Sequence, residues 1–120
     1  MSVALTAPDE LQRGTVLVAE ATEAGKAEGA RYFAEEMGGR DMDACGFAWV
    51  DLRNVDEPMR SALLAAGFGE VQRGLRTVLR CYFRHEAPTQ GLCCLTAANL
   101  AAAAVFTRAG FSATVGACLD

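Results

Sequence analysis

The chain has 120 residues, 52% of them hydrophobic and 22% charged, with a formal net charge of −4. That suffices for one domain with its own core and is too apolar for a wholly disordered chain. The acidic balance argues against broad, non-specific binding to nucleic acid or anionic membranes, although it leaves room for a local basic patch.

The opening MSVALTAPDE has neither the basic start nor the long apolar run of an export signal. No apolar stretch reaches the roughly 20 residues of a membrane helix. The five cysteines (Cys45, Cys81, Cys93, Cys94 and Cys118) are an odd number without a Cys-x-x-Cys pair. The expectation is a single cytoplasmic domain over residues 1–120, with reduced thiols and no membrane association.

The first third predicts a helix from about Asp9 to Glu36. Thr6 is a candidate cap and Pro8 suits a first turn. Gly14, Gly25 and Gly29 weaken it, with a break expected near Gly25, and TVLVAEA can also be read as a strand. Gly38 and Gly39 end the helix. Ala44 to Arg53 (ACGFAWVDLR) is rich in aromatic and branched residues and predicts a strand. Its alternation puts Cys45, Phe47, Trp49, Asp51 and Arg53 on one face and Ala44, Gly46, Ala48, Val50 and Leu52 on the other. A lone Trp in such a strand is expected in the core.

Asn54 or Asp56 then caps a short helix, with Pro58 in its first turn and Gly67 as its stop. LRTVLRCYFR, Leu75 to Arg84, alternates strictly and predicts the clearest strand. HEAPTQGLCC is a loop. A last helix starts at Thr96 or Asn99 and stops at Gly110, and FSATVGA forms a final strand. The expected architecture is α+β, a long N-terminal helix followed by β-α-β-α-β, with helices packed on a three-stranded sheet.

Arg76, Arg80 and Arg84 recur every fourth residue on one side of the second strand, spaced roughly 13 Å apart. Tyr82 stands among them, Arg73 precedes the strand and His85 follows it. Planar guanidinium forks suit phosphate or carboxylate, and a phenol ring can stack on a base. These six residues are the candidate ligand-binding set, extended by Trp49 and Arg53 if the first strand adjoins the second. The plainer reading is a solvated strand face with arginines paired to Asp51 and nearby glutamates.

Other clusters point less sharply. Cys81, His85, Cys93 and Cys94 fall within fourteen residues, but lack the paired spacing of a zinc site and any feature fixing a Cys–His nucleophile. Buried cysteines behaving as small apolar residues are the expectation. Glu35, Glu36, Asp41 and Asp43 read as a solvated helix end and loop. No metal, cofactor or catalytic residue is expected.

CGFAWV (Cys45 to Val50), the helix–Ala-Gly turn at Arg108 to Gly110 and the ending GACLD (Gly116 to Asp120) resemble a group of small proteins of tailed bacteriophages. The likeness covers roughly residues 44–120. Cys118 stands where relatives carry an Arg, and their Tyr-Gly-Gly stretch is reduced to Gly74 between Arg73 and Leu75. The resemblance implies a phage origin and expression in the host cytoplasm, without implying an activity. Separately, NLAAAAVFTRAGF (Asn99 to Phe111) looks like the late helix of acetyl-CoA transferases of the GNAT type, but the glycine-rich pyrophosphate loop such enzymes need is absent.

The expectation from sequence is a non-enzymatic binding protein that modulates a host function, its partner a host protein or a phosphorylated small molecule such as a nucleotide. A GNAT-like transferase and an oligomeric or virion-associated structural protein are the alternatives, and a homo-oligomer is compatible with any of them.

Overall fold

The computed structural model describes residues 3–41 and 43–119, with side chains from Asp9 onward. The elements are α1 (Val3–Glu35), β1 (Gly46–Arg53), α2 (Met59–Ala66), β2 (Gly69–Arg73), β3 (Arg76–Cys81), α3 (Leu92–Arg108) and β4 (Ser112–Leu119). The fold is α+β. The sheet has four strands, not three, all antiparallel in the order β2-β3-β1-β4. After α1, the order β-α-β-β-α-β is that of the split βαβ unit. The additional strand, β2, is the short polar edge segment GEVQR, whose few inward side chains carry little hydrophobic alternation.

Helix α1 runs unbroken for 33 residues, so neither a break at Gly25 nor a strand at TVLVAEA forms. It begins upstream of the expected cap, with Thr6 and Pro8 inside its first turns. Its buried stripe is Gly14, Leu17, Ala21, Gly25 and Gly29, at helical spacing. The glycines are points of close approach. A Cβ on Gly14 would stand 2.9 Å from the Ala62 Cβ of α2, and one on Gly25 would stand 3.2 Å from the Ala98 carbonyl of α3. Each Gly costs the helix about 1 kcal/mol relative to Ala. Tertiary packing opposes that cost, because α1 lies across both α2 and α3.

The beginnings of α2 and α3 also differ from expectation. Helix α2 starts at Met59 with Pro58 at its N-cap, rather than being capped by Asn54 or Asp56. The Glu57 carboxylate accepts hydrogen bonds from the Ser61 N–H at 2.9 Å and the Ser61 hydroxyl at 2.8 Å. Helix α3 starts at Leu92 instead of Thr96 or Asn99. Its first turn is capped from a distance: the Asp43 carboxylate accepts the Cys93 N–H at 2.6 Å. A cap donated from fifty residues away leaves no local signature.

The core lies between the sheet and α2 and α3. Val50 and Leu52 of β1, Leu79 of β3, Met59 and Leu63 of α2 and Phe106 of α3 are all buried there. Phe68, Phe83, Phe106 and Phe111 form an aromatic cluster with centroids 5.4–6.2 Å apart. Strand β3 runs only from Arg76 to Cys81, ending three residues before its expected end, and Leu75, expected as its first residue, is fully exposed in the β2–β3 turn. Among the described residues, no helix is long and apolar enough to cross a membrane.

Candidate functional site

Both covering helices lie on one side of the sheet, which leaves the other face open. Strand parity decides what occupies it. Ala48, Val50 and Leu52 point into the core, so Phe47, Trp49, Asp51 and Arg53 point outward. The expectation of a core position for Trp49 is therefore corrected. Strand β1 does adjoin β3, with Asp51 directly opposite Arg80, so the two central strands present their open faces side by side.

Asp51 is 1% exposed. Arg80 grips it bidentately, Nε to Oδ1 at 2.8 Å and Nη2 to Oδ2 at 3.1 Å. Arg73 of β2 donates to the same Oδ2 at 3.4 Å. The Arg80 guanidinium also lies over the Trp49 ring, 4.4 Å from its centroid. Tyr82 meets Trp49 edge-on at 5.7 Å. Bonds to Asp51 raise the Arg80 pKa, so this guanidinium stays charged. A cation over a Trp face contributes about 0.5–2 kcal/mol depending on desolvation. On the far side, Trp49 pairs with Gly116 of β4, and a Cβ there would run into the indole. Gly116 is the seat of the Trp49 ring.

The six residues singled out in the sequence separate into three situations. Arg73, Arg80 and Tyr82 come together around Asp51 and Trp49. Arg76 stands exposed opposite Arg73 at the start of β3. Arg84 and His85 lie beyond the end of the strand, in the segment leading to α3. Three parallel guanidiniums along one strand are therefore not what forms: the fork of Arg80 is turned inward onto Asp51. Arg53, Arg76 and Arg84 make no ion pair with a described carboxylate. The open face is thus locally basic in an acidic chain.

His85 packs on Gly29 of α1. Its Nδ1 accepts the Ala87 N–H at 3.1 Å, while its Nε2 is buried without a partner among the described residues. Burial lowers its pKa below the ordinary 6.5. Burial pushes the Cys81 thiol up to about 11, which disfavours its thiolate form. Cys93 is raised by its hydrogen bond to Asp43, and Cys94 by burial. Among the described residues, no group of three or more His, Cys, Asp or Glu side chains is arranged to hold a metal ion.

A cavity of about 700 Å³ opens beside this face, between the first half of β1 and the segment Tyr82–Gln90. Phe47 and Tyr82, about half exposed, line it with Arg84, and Leu95 of α3 lies deeper. Phe47, Asp51 and Gly116 were not among the candidates drawn from the sequence. Phe47 and Asp51 were legible from the parity they share with Trp49, whereas Gly116 carried no signal. No protein-family model, curated protein or solved structure matches the chain.

Proposed function

We propose that the protein binds a nucleotide-type small molecule, without chemical conversion, on the open face of its sheet. The observation that carries this reading is the grouping of Phe47, Trp49 and Tyr82 with Arg53, Arg73, Arg76, Arg80 and Arg84 on or beside the two central strands, with a single buried carboxylate, Asp51, among them. Exposed aromatic rings on the central strands of a four-stranded sheet are suited to stacking bases, and guanidiniums around them to phosphate. A stacked base contributes about 1–3 kcal/mol.

In this reading Asp51 is a positioning group. It holds Arg80 flat on Trp49 and keeps the indole in one orientation, so that Phe47 and Tyr82 can receive a ring beside it. Arg84, free of carboxylates among the described residues and lining the cavity with Phe47 and Tyr82, meets the phosphate. The phage-like runs at Cys45–Val50 and Gly116–Asp120 support a role in an infected host cell, where sequestering or sensing a host nucleotide would modulate host physiology.

Calorimetric titration with nucleoside mono-, di- and triphosphates tests the reading, with inorganic phosphate and ribose 5-phosphate as controls. Binding of at least one nucleotide that weakens tenfold or more in Tyr82→Ala and in Arg84→Glu, with both variants folded, is the expected result. Equal binding by inorganic phosphate, or no binding of any nucleotide, overturns it.

A further inference from the structure

Strand β3 leaves β1 early, and one buried side chain accounts for it. The antiparallel register pairs Val50 with Cys81 and Leu52 with Leu79, so continuing it would place Phe83 opposite Ala48. Phe83 is engaged elsewhere. Its N–H donates to the Asn99 Oδ1 of α3 at 3.1 Å, and its carbonyl accepts from Asn99 Nδ2 at 2.9 Å. The same Nδ2 donates to the Leu95 carbonyl at 2.9 Å, and Asn99 is wholly buried. The side-chain amide takes the place of a neighbouring strand and draws Phe83 away from β1.

The far end of the gap is closed again. The Gly46 N–H donates to the Gln90 carbonyl at 3.2 Å, and the Leu92 N–H to the Ala44 carbonyl at 2.8 Å. The Gly46 bond also fixes the direction of the main chain. Along an unbroken strand, N–H and C=O groups of alternate residues point to the same edge. The β1–β4 register is unbroken from Gly46 to Arg53. Ala48 therefore aims its N–H and C=O at the edge where Gly46 meets Gln90, into the gap that Phe83 has vacated. No described group bonds to either. The result is a slot with an adjacent main-chain donor and acceptor on one wall and the rings of Phe47 and Tyr82 among its lining.

We infer that this slot reads the hydrogen-bonding edge of a nucleobase, with the Ala48 N–H donating to an acceptor on the base and the Ala48 carbonyl accepting from the neighbouring N–H donor. This rests on the proposed binding of a nucleotide to the sheet face and specifies which part of that ligand enters the protein. A planar base, with donor and acceptor side by side, matches both the main-chain pair and the aromatic rim. At about 700 Å³ the cavity falls in the usual range for small-molecule sites. Arg84 in its lining lies within the same pocket for the attached phosphate.

The test changes the ligand, leaving the protein intact. Adenosine 5′-monophosphate is compared with its N6,N6-dimethyl derivative, and uridine 5′-monophosphate with its N3-methyl derivative. Affinity is measured by calorimetry, and the Ala48 amide is followed by ¹H–¹⁵N NMR. At least tenfold weaker binding of each methylated ligand than of its parent, with the Ala48 amide resonance moving only for the parents, is the expected result. Parent and methylated ligands binding alike, or an unmoved Ala48 amide, overturns the slot while leaving the sheet-face reading intact, provided Tyr82→Ala still weakens binding. Failure of every nucleotide to bind removes both.

Discussion

Asp51 and Arg80 face each other across the two central strands, and the Arg80 fork takes both oxygens of a carboxylate that has almost no access to solvent. Removing one partner of such a pair strands the other. Arg80→Ala leaves a buried carboxylate with only the longer contact from Arg73, and a loss of about 3 kcal/mol is expected. Asp51→Asn keeps the shape and leaves Arg80 at the sheet surface, so its cost should be smaller. Urea unfolding of the two variants checks the order; Arg80→Ala as stable as the wild type would contradict it.

Gly116 supplies a second handle on the same cluster. In Gly116→Ala the new methyl group occupies the place of the Trp49 indole, so the ring must tilt off its seat and away from Arg80. The chain has a single tryptophan, and its fluorescence reports this directly. A red-shifted emission maximum is expected, with nucleotide affinity down at least tenfold and far-UV circular dichroism unchanged. Wild-type emission and affinity in this variant would show that Trp49 is not held in place by Gly116.

The long helix gives a prediction about stability alone. A methyl group on Gly29 meets the Cβ of His85, a position with little freedom to move. Overpacking of this kind costs about 1–3 kcal/mol, against about 1 kcal/mol gained from helix propensity. Gly29→Ala is therefore expected to lower Tm by a few degrees. Ala30→Ser, at the exposed neighbouring position, should change it little.

His85 makes stability pH-dependent. Its pKa in the folded protein is lowered from 6.5 by burial, so the unfolded chain binds the proton more readily. Stability then rises with pH through the interval between the folded value and 6.5, and falls as the pH is lowered through it. Because the chain has one histidine, and carboxylates such as Glu57 and Asp43 titrate below their ordinary values of 4.5 and 3.8, the interval just below pH 6.5, above the carboxylate range, belongs to His85. Unfolding free energies should decline across it in the wild type and stay level in His85→Gln.

These features differ in how far they can be read from sequence. Strand β1 and its two faces followed from alternation in GFAWVDLR, because one side of that strand is buried and the other is not. The same parity places Trp49 beside Asp51, and it conflicts with the habit of assigning a lone Trp to the core. The parity was the better guide. Strand β2 was not legible because an exposed polar edge strand has no hydrophobic pattern to show. The continuity of α1 was hidden because its glycines look like breaks until the surfaces of α2 and α3 explain them. The slot depends on Asn99 bonding to a residue sixteen positions away, and the start of α3 depends on Asp43, fifty positions from Cys93. Neither relation has a local period or motif.

The most direct measurement of the central claim is a fluorescence titration of Trp49 with nucleoside monophosphates, in the wild type and in Tyr82→Ala. Saturable quenching in the wild type, with an affinity at least tenfold weaker in Tyr82→Ala, is the result expected of a sheet face that stacks a base. Unchanged Trp49 emission at millimolar nucleotide, in a protein shown to be folded, would contradict it.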